Sequence, residues 1–168
     1  MGNLPQRKQI RLKDYDYSQA GYYFITICTY DRGHLLSNIV GDGFHAVPQT
    51  ELTTIGKEIV KTIEYFDNHY PHVKIDKYVI MPNHIHLIVI LKQLHSGGHG
   101  NPPLPKIVGQ FKSYTNKRYN DLNKSKKLIL WQRNYYEHII RNEAEYQEIL
   151  EYIETNPLKW ELDKYYRA

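Results

Sequence analysis

Two periods of apolar residues alternate along this chain. From Thr54 to His69, Ile55, Ile59, Ile63 and Phe66 recur every three or four positions, which predicts a helix, with Thr53-Thr54 supplying its cap. Tyr146, Ile149, Leu150 and Ile153 repeat the pattern and predict a helix over 142–155. Asn142 is placed to cap it, Glu145 stands three positions on as in a capping box, and Pro157 marks its end. Outside these helices the apolar residues run together as β-branched and aromatic stretches. Residues 22–30 read as a strand, as do 73–81 and 84–91, which are joined by a tight turn at Pro82-Asn83. A further strand is expected near 135–140. Residues 105–120 predict a helix that interleaves Lys106, Lys112, Lys117 and Arg118 with Phe111, Tyr114 and Tyr119. Gly33, Gly41, Gly43 and Pro48 make 31–48 a loop or small hairpin, and the Ser-Gly-Gly-His-Gly-Asn-Pro-Pro segment makes 93–103 a flexible surface loop.

The order β-α-β-β-α-β-α predicts an α+β fold. Its first six elements match the ferredoxin-like split βαβ arrangement, an antiparallel sheet with helices on one face, and the last helix is added at the C-terminus. A length of 168 residues suits a single domain over 1–168, with residues 1–20 as a basic N-terminal arm.

Composition narrows the function classes. Hydrophobic residues make up 41%, so the chain can bury a core. No apolar stretch is long enough to cross a membrane, and the polar, basic start has no signal-peptide core, so a cytoplasmic protein without a membrane partner is expected. The one cysteine, Cys28, excludes an internal disulfide and a cysteine-rich zinc site. A net charge of +4 is a mild lean toward a polyanion. The 16 tyrosines offer stacking surfaces, hydrogen bonds and candidate nucleophiles.

The chemistry concentrates in Asn83-His84-Ile85-His86-Leu87. Residues i and i+2 of a strand point to one face, so His84 and His86 project side by side from a stiff scaffold and can grip one divalent ion. Taken alone, a His-x-His strand is more often structural. On the last helix, Tyr152 and Asn156 are four apart and share a flank. The phenol can attack phosphorus, and the amide oxygen suits Mg²⁺ or Mn²⁺. Asn156 also has the bland reading of a helix C-cap before Pro157, and Tyr152 that of a packing residue. Lys106, Lys112, Lys117 and Arg118 are either phosphate contacts or a solvated helix face, and Arg7, Lys8 and Arg11 either grip a hairpin stem or form a tail.

His-hydrophobic-His with one tyrosine on a later helix resembles the HUH single-tyrosine (Y1) transposases of the insertion-sequence 200/605 type. Further stretches are most similar to the REP-associated tyrosine transposases. These are Gly21-Tyr22-Tyr23-Phe24-Ile25-Thr26, Met81-Pro82-Asn83-His84-Ile85-His86, Phe111-Lys112-Ser113, Trp131-Gln132-Arg133-Asn134-Tyr135-Tyr136-Glu137-His138 and Tyr152-Ile153-Glu154-Thr155-Asn156-Pro157. The resemblance implies metal ligation by His84, His86 and Asn156, with Tyr152 as nucleophile. It implies cleavage of single-stranded DNA, usually beside a hairpin, leaving a 5′-phosphotyrosine and a free 3′-OH. His138 is a candidate general base. Relatives act as monomers or homodimers. Tyr114 is the alternative nucleophile, although the residue four positions on, Arg118, cannot bind a cation. A non-catalytic ferredoxin-like module for structured nucleic acid is the alternative function. A histidine-triad nucleotide hydrolase is disfavoured because position 88 is Ile88.

Overall fold

The computed structural model describes residues 12, 14–41, 48–93 and 102–167. Arg7, Lys8 and Arg11, and most of the 93–103 loop, lie outside the described residues. Among the described residues, six strands and three α-helices follow in the order β1 (Gly21–Cys28), β2 (Ser37–Val40), β3 (Gln49–Leu52), α1 (Thr54–His69), β4 (Val73–Met81), β5 (His84–Leu91), α2 (Leu104–Leu122), β6 (Tyr136–Ile140) and α3 (Glu143–Thr155). The main sheet runs β4-β5-β1-β6 with every neighbour antiparallel. Two non-local partners flank β1, as the split βαβ order requires. The segment 31–48, read as a loop or small hairpin, contributes β2, which pairs with β3 just past its end.

Alternation along the strands sorts the two faces. Tyr23, Ile25 and Ile27 of β1 and Leu87, Val89 and Leu91 of β5 bury against Ile59, Ile63 and Phe66 of α1 and Ile107, Val108 and Phe111 of α2. Phe24, Met81, Ile88 and Ile140 face the other way, where Ile153 and Trp160 cover them with Tyr146, Ile149 and Tyr152 alongside. Thus α1 and α2 share one face and α3 crosses the other, with Tyr152 within its packed flank.

A register shift between Ile75 and Lys77 reverses the alternation of β4. Val73 and Ile75 face α1 and α2, whereas Val79 and Met81 face α3. The bulge residue Asp76 accepts a hydrogen bond from the Tyr146 hydroxyl at 2.5 Å, tying α3 to the sheet. At its start Asn142 accepts from the Glu145 amide at 2.9 Å, and Glu145 reaches back to the Arg141 amide at 2.7 Å. This reciprocal cap fixes where α3 begins. Beyond Thr155 the chain tightens into a 3-10 helix, Asn156–Leu162, with Pro157 in its first turn.

On α1, Thr53 accepts from the Gly56 amide at 3.2 Å. A Cβ on Gly56 would overlap the Leu36 carbonyl oxygen and come 3.3 Å from Leu52 Cβ. The helix therefore approaches the β2–β3 pair as closely as a bare Cα allows. No helix among the described residues is long and apolar enough to cross a membrane.

Candidate active site

Three elements converge on the α3 face of the sheet. The β4–β5 turn and β5 supply Asn83, His84 and His86, all fully buried. His84 and His86 lie opposite Cys28 and Thr26 of β1. Their Nε2 atoms are 3.0 Å apart. Asn83 donates from Nδ2 to the Tyr165 carbonyl at 2.8 Å, and only an amide nitrogen can fill that position. Its Oδ1 is therefore the atom facing His84 Nδ1 at 2.8 Å, so that nitrogen carries the proton. His84 Nε2 then presents a bare lone pair to the centre of the site. On the other ring, Nδ1 of His86 lies 2.8 Å from the Thr26 hydroxyl.

Burial holds both imidazoles neutral. It pushes His84 down to about 3 and His86 well below its ordinary value, with the neighbouring His84 and Lys164 adding to the effect on His86. Neutral imidazoles are the form that binds a cation.

From α3, the Tyr152 hydroxyl approaches His86 Nε2 to 3.3 Å and Asp163 Oδ2 to 3.2 Å. Its ring meets Phe24 edge-on at 6.1 Å, and Phe24 stacks on His86 at 5.3 Å. Burial raises the phenol above its ordinary value, and the Asp163 charge raises it further. The phenol is therefore protonated in the resting protein. Asn156, one helical turn on, donates from Nδ2 to Asp163 Oδ2 at 3.0 Å. The carboxylate fixes the amide orientation, which leaves buried Asn156 Oδ1 without a hydrogen-bond partner. Asp163 Oδ1 accepts from the Tyr165 amide at 2.6 Å.

Asp163 is the residue that sequence reasoning missed. One ligand atom each from His84, His86 and Asp163 falls within a 4.8 Å span. With the orphaned Asn156 oxygen, the group offers two nitrogen and two oxygen donors. Such a mixed set fits a divalent cation of the Mg²⁺ or Mn²⁺ kind.

The remaining candidates lie elsewhere. Tyr114 is on α2, across the sheet, stacked on Tyr65 at 5.8 Å and accepting from Arg118 at 2.8 Å. Lys112 points its ammonium at the Gln132 and Arg133 carbonyls, 2.7 and 2.8 Å away. Lys117 pairs with Asp121, while Arg118 approaches Glu58 at 4.0 Å. Lys106 is exposed. His138 pairs with Glu145 at 2.6 Å at the start of α3, so the acceptor beside Tyr152 is Asp163.

Residues 17–156 match the sequence profile described as "Transposase IS200 like". The chain belongs to the IS200-like transposase family. It is 37% identical to an uncharacterized protein of Haemophilus influenzae, over 97% of this chain and 94% of that one. A second H. influenzae protein, provisionally named a REP-associated tyrosine transposase, is 26% identical over 86% of this chain and 74% of its own length. Among solved structures, a REP-associated tyrosine transposase bound to a REP hairpin superposes with a TM-score of 0.57 at 22% identity, covering 92% of this chain and 76% of that one. A Deinococcus radiodurans protein, provisionally described as a transposase, gives 0.51 at 16% identity, with 86% and 95% covered. Both share the fold of this transposase.

Proposed function

We propose that this transposase cleaves and rejoins single-stranded DNA beside a hairpin, through a 5′-phosphotyrosine on Tyr152. His84 and His86 hold a divalent cation, Mg²⁺ or Mn²⁺, completed by oxygen from Asn156 or Asp163. The observation that carries this reading is the convergence of a tyrosine hydroxyl and two inward-facing imidazole nitrogens at one buried point. The hairpin is supported by the fold likeness to a transposase bound to a REP hairpin.

The cation, when bound, would act as a Lewis acid on the scissile phosphate. The chain's own residues supply the rest. α3 holds the phenol oxygen beside the phosphate, so attack needs little reordering. As the Tyr152 oxygen bonds to phosphorus, its proton passes to Asp163 or water, the P–O3′ bond breaks, and the leaving oxygen takes a proton to become the 3′-OH. The phosphotyrosine ester conserves the bond, so a second 3′-OH displaces Tyr152 without ATP. Asn156 holds Asp163 in place by donating its side-chain N–H to Asp163 Oδ2.

The test is incubation of labelled hairpin DNA, taken from the sequence flanking the gene, with protein and Mg²⁺ or Mn²⁺. A covalent adduct on a denaturing gel is expected, absent in Tyr152→Phe and absent without the cation. An adduct that survives in Tyr152→Phe would move the role to another tyrosine, Tyr114 first. Shifted but uncleaved DNA would favour a binding module.

A further inference from the structure

The strand row that carries His86 continues toward solvent. Thr26 of β1 lies opposite His86 of β5 on one side and Tyr136 of β6 on the other. Directly opposed residues of an antiparallel ladder share a face. Tyr136 and His86 therefore project to the same side, two strand spacings or roughly 10 Å apart. Phe24 bridges them, stacked on His86 at 5.3 Å and edge-on to Tyr136 at 6.3 Å. Tyr136 lies on the edge strand and is 43% exposed.

Two cations attend this row. Lys164 Nζ lies 5.2 Å from the centre of the Tyr136 ring and 4.9 Å from that of Tyr165. The Arg32 guanidinium lies 4.6 Å from the Tyr165 centre, and that ring stands 4.7 Å from His84. Among the described residues neither cation forms an ion pair. Arg32 holds its place with a positive φ of 58°, a conformation uncommon outside glycine. Among the described residues, the two positive side chains are thus open to an anion such as a phosphate.

We infer that Tyr136, Lys164 and Arg32 form the subsite for the nucleotide next to the scissile phosphate. Its base lies on Tyr136 and its backbone phosphates meet Lys164 and Arg32. The inference rests on the strand-cleavage reading above and names where that strand runs. An exposed cation–π contact is worth about two- to fivefold in an equilibrium constant, whereas stacking a base on an aromatic ring is worth about five- to 160-fold. A base therefore displaces Lys164 from the ring face and leaves the ammonium for phosphate. Every base has a π-face, so the subsite accepts any nucleotide at this position.

The test uses the Tyr152→Phe protein, which binds without cleaving, and a short fluorescein-labelled oligothymidylate read by anisotropy over a salt series. Tyr136→Leu is expected to weaken binding about tenfold with the salt dependence unchanged. Lys164→Gln and Arg32→Gln are each expected to reduce the slope of log K against log salt by about 0.7, one phosphate contact on a single strand. Tyr136→Phe keeps the ring and should bind like the parent. Melting temperatures check that each variant is folded, and Tyr136→Phe with Lys164→Gln decides the matter if Tyr136→Leu is not. Parent-like binding and slope in all the variants would overturn the subsite while leaving strand cleavage intact. A Tyr152→Phe protein that binds no single strand, beside an active-site-intact protein that cleaves no hairpin, would remove the reading on which the subsite rests.

Discussion

His84 Nε2 lies 3.0 Å from His86 Nε2, and the outer nitrogen of each ring is already engaged, by Asn83 and by Thr26. Asn83 fixes the His84 proton on the outer side. The inner junction then closes in one of two ways. His86 donates a proton across it, or a cation takes the proton's place. The first leaves His86 Nδ1 as acceptor from the Thr26 hydroxyl; the second lets Nδ1 donate to it, the arrangement typical of metal-ligating histidines. Mn²⁺ or Mg²⁺ should therefore raise the unfolding temperature. At a hundredfold excess over Kd the gain is about 2.7 kcal/mol, or several degrees for a chain of this size. Thermal unfolding with and without cation checks this, and His84→Gln should show no shift.

The metal-free protein should lose stability in mild acid. Burial holds His84 at about 3, far below its ordinary 6.5. Between those values the unfolded chain binds a proton that the folded chain refuses, so stability rises with pH across the window and falls as pH drops through it. His86 is lowered for the same reason and acts in the same direction. Urea midpoints measured from pH 7.5 down to pH 4 should decline. The decline should be shallower in His84→Gln, which removes one of the two titrating rings. A flat profile in the parent would mean that the imidazoles are solvated.

Most of the fold was legible because its periodicities are undisturbed. β4, β5 and α1 fall at the expected bounds, since apolar alternation or helical spacing coincides there with Pro82-Asn83 and with the Thr53 cap. The bulge at Asp76 was not legible: alternation alone puts residues 73 to 81 in one phase, and only the pairing with β5 reveals the slip. His84, His86, Tyr152 and Asn156 stand out by spacings of two and four that match a strand and a helix, together with the family resemblance, which singles out Tyr152 among the 16 tyrosines. Asp163 follows no such spacing. It arrives by way of a 3-10 helix that turns the chain back after Pro157, a path that helical periodicity does not encode. Its one visible signal is an acidic residue soon after the tyrosine helix.

Asn156 and Asp163 should separate in a metal-binding measurement. Asn156 Oδ1 is buried and without a partner, whereas Asp163 divides its oxygens among Tyr152, Asn156 and the Tyr165 amide. Mn²⁺ titration followed by calorimetry should show a larger loss for whichever residue is the direct ligand. The residue acting through its neighbour should cost about 10- to 100-fold. We expect Asn156→Ala to show the larger loss, because its free oxygen has no other bond to make. Asp163→Asn should also bring the Tyr152 phenol back toward its ordinary value, since the aspartate charge helps to raise it. An ultraviolet tyrosinate titration reads that change.

Lys112 should behave as a structural residue. Its ammonium is half-buried, donates to two main-chain carbonyls and has a pKa lowered by burial. It also lies on the face of the sheet opposite the histidines. Lys112→Met leaves both carbonyls short of a charged donor, a loss of about 1.5–3 kcal/mol for each such bond at most. The variant should melt several degrees lower and bind hairpin DNA with parental affinity once folded. Weaker binding at unchanged stability would instead give α2 a role in holding DNA.

Gly56→Ala sets two opposed effects against each other. In an exposed helix interior, alanine in place of glycine gains about 1 kcal/mol. At position 56 the added methyl overlaps the Leu36 carbonyl oxygen, which is main chain and cannot rotate away. That same carbonyl accepts from the Thr53 amide and hydroxyl, at 3.0 and 2.9 Å, so moving it also loosens the cap of α1. Overpacking of this kind costs about 1–3 kcal/mol, and loss of a threonine cap about 1 kcal/mol. The cost outweighs the propensity gain, and Gly56→Ala should unfold at lower temperature than the parent. The β2–β3 pair borders the Pro82 turn, which accepts from the Leu35 and Leu36 amides at 2.9 and 3.0 Å and leads directly into His84. A shift there reaches the histidines through the main chain. Gly56→Ala should therefore also weaken Mn²⁺ binding, although the mutated residue touches none of the ligands, and calorimetry beside a melting curve checks both effects.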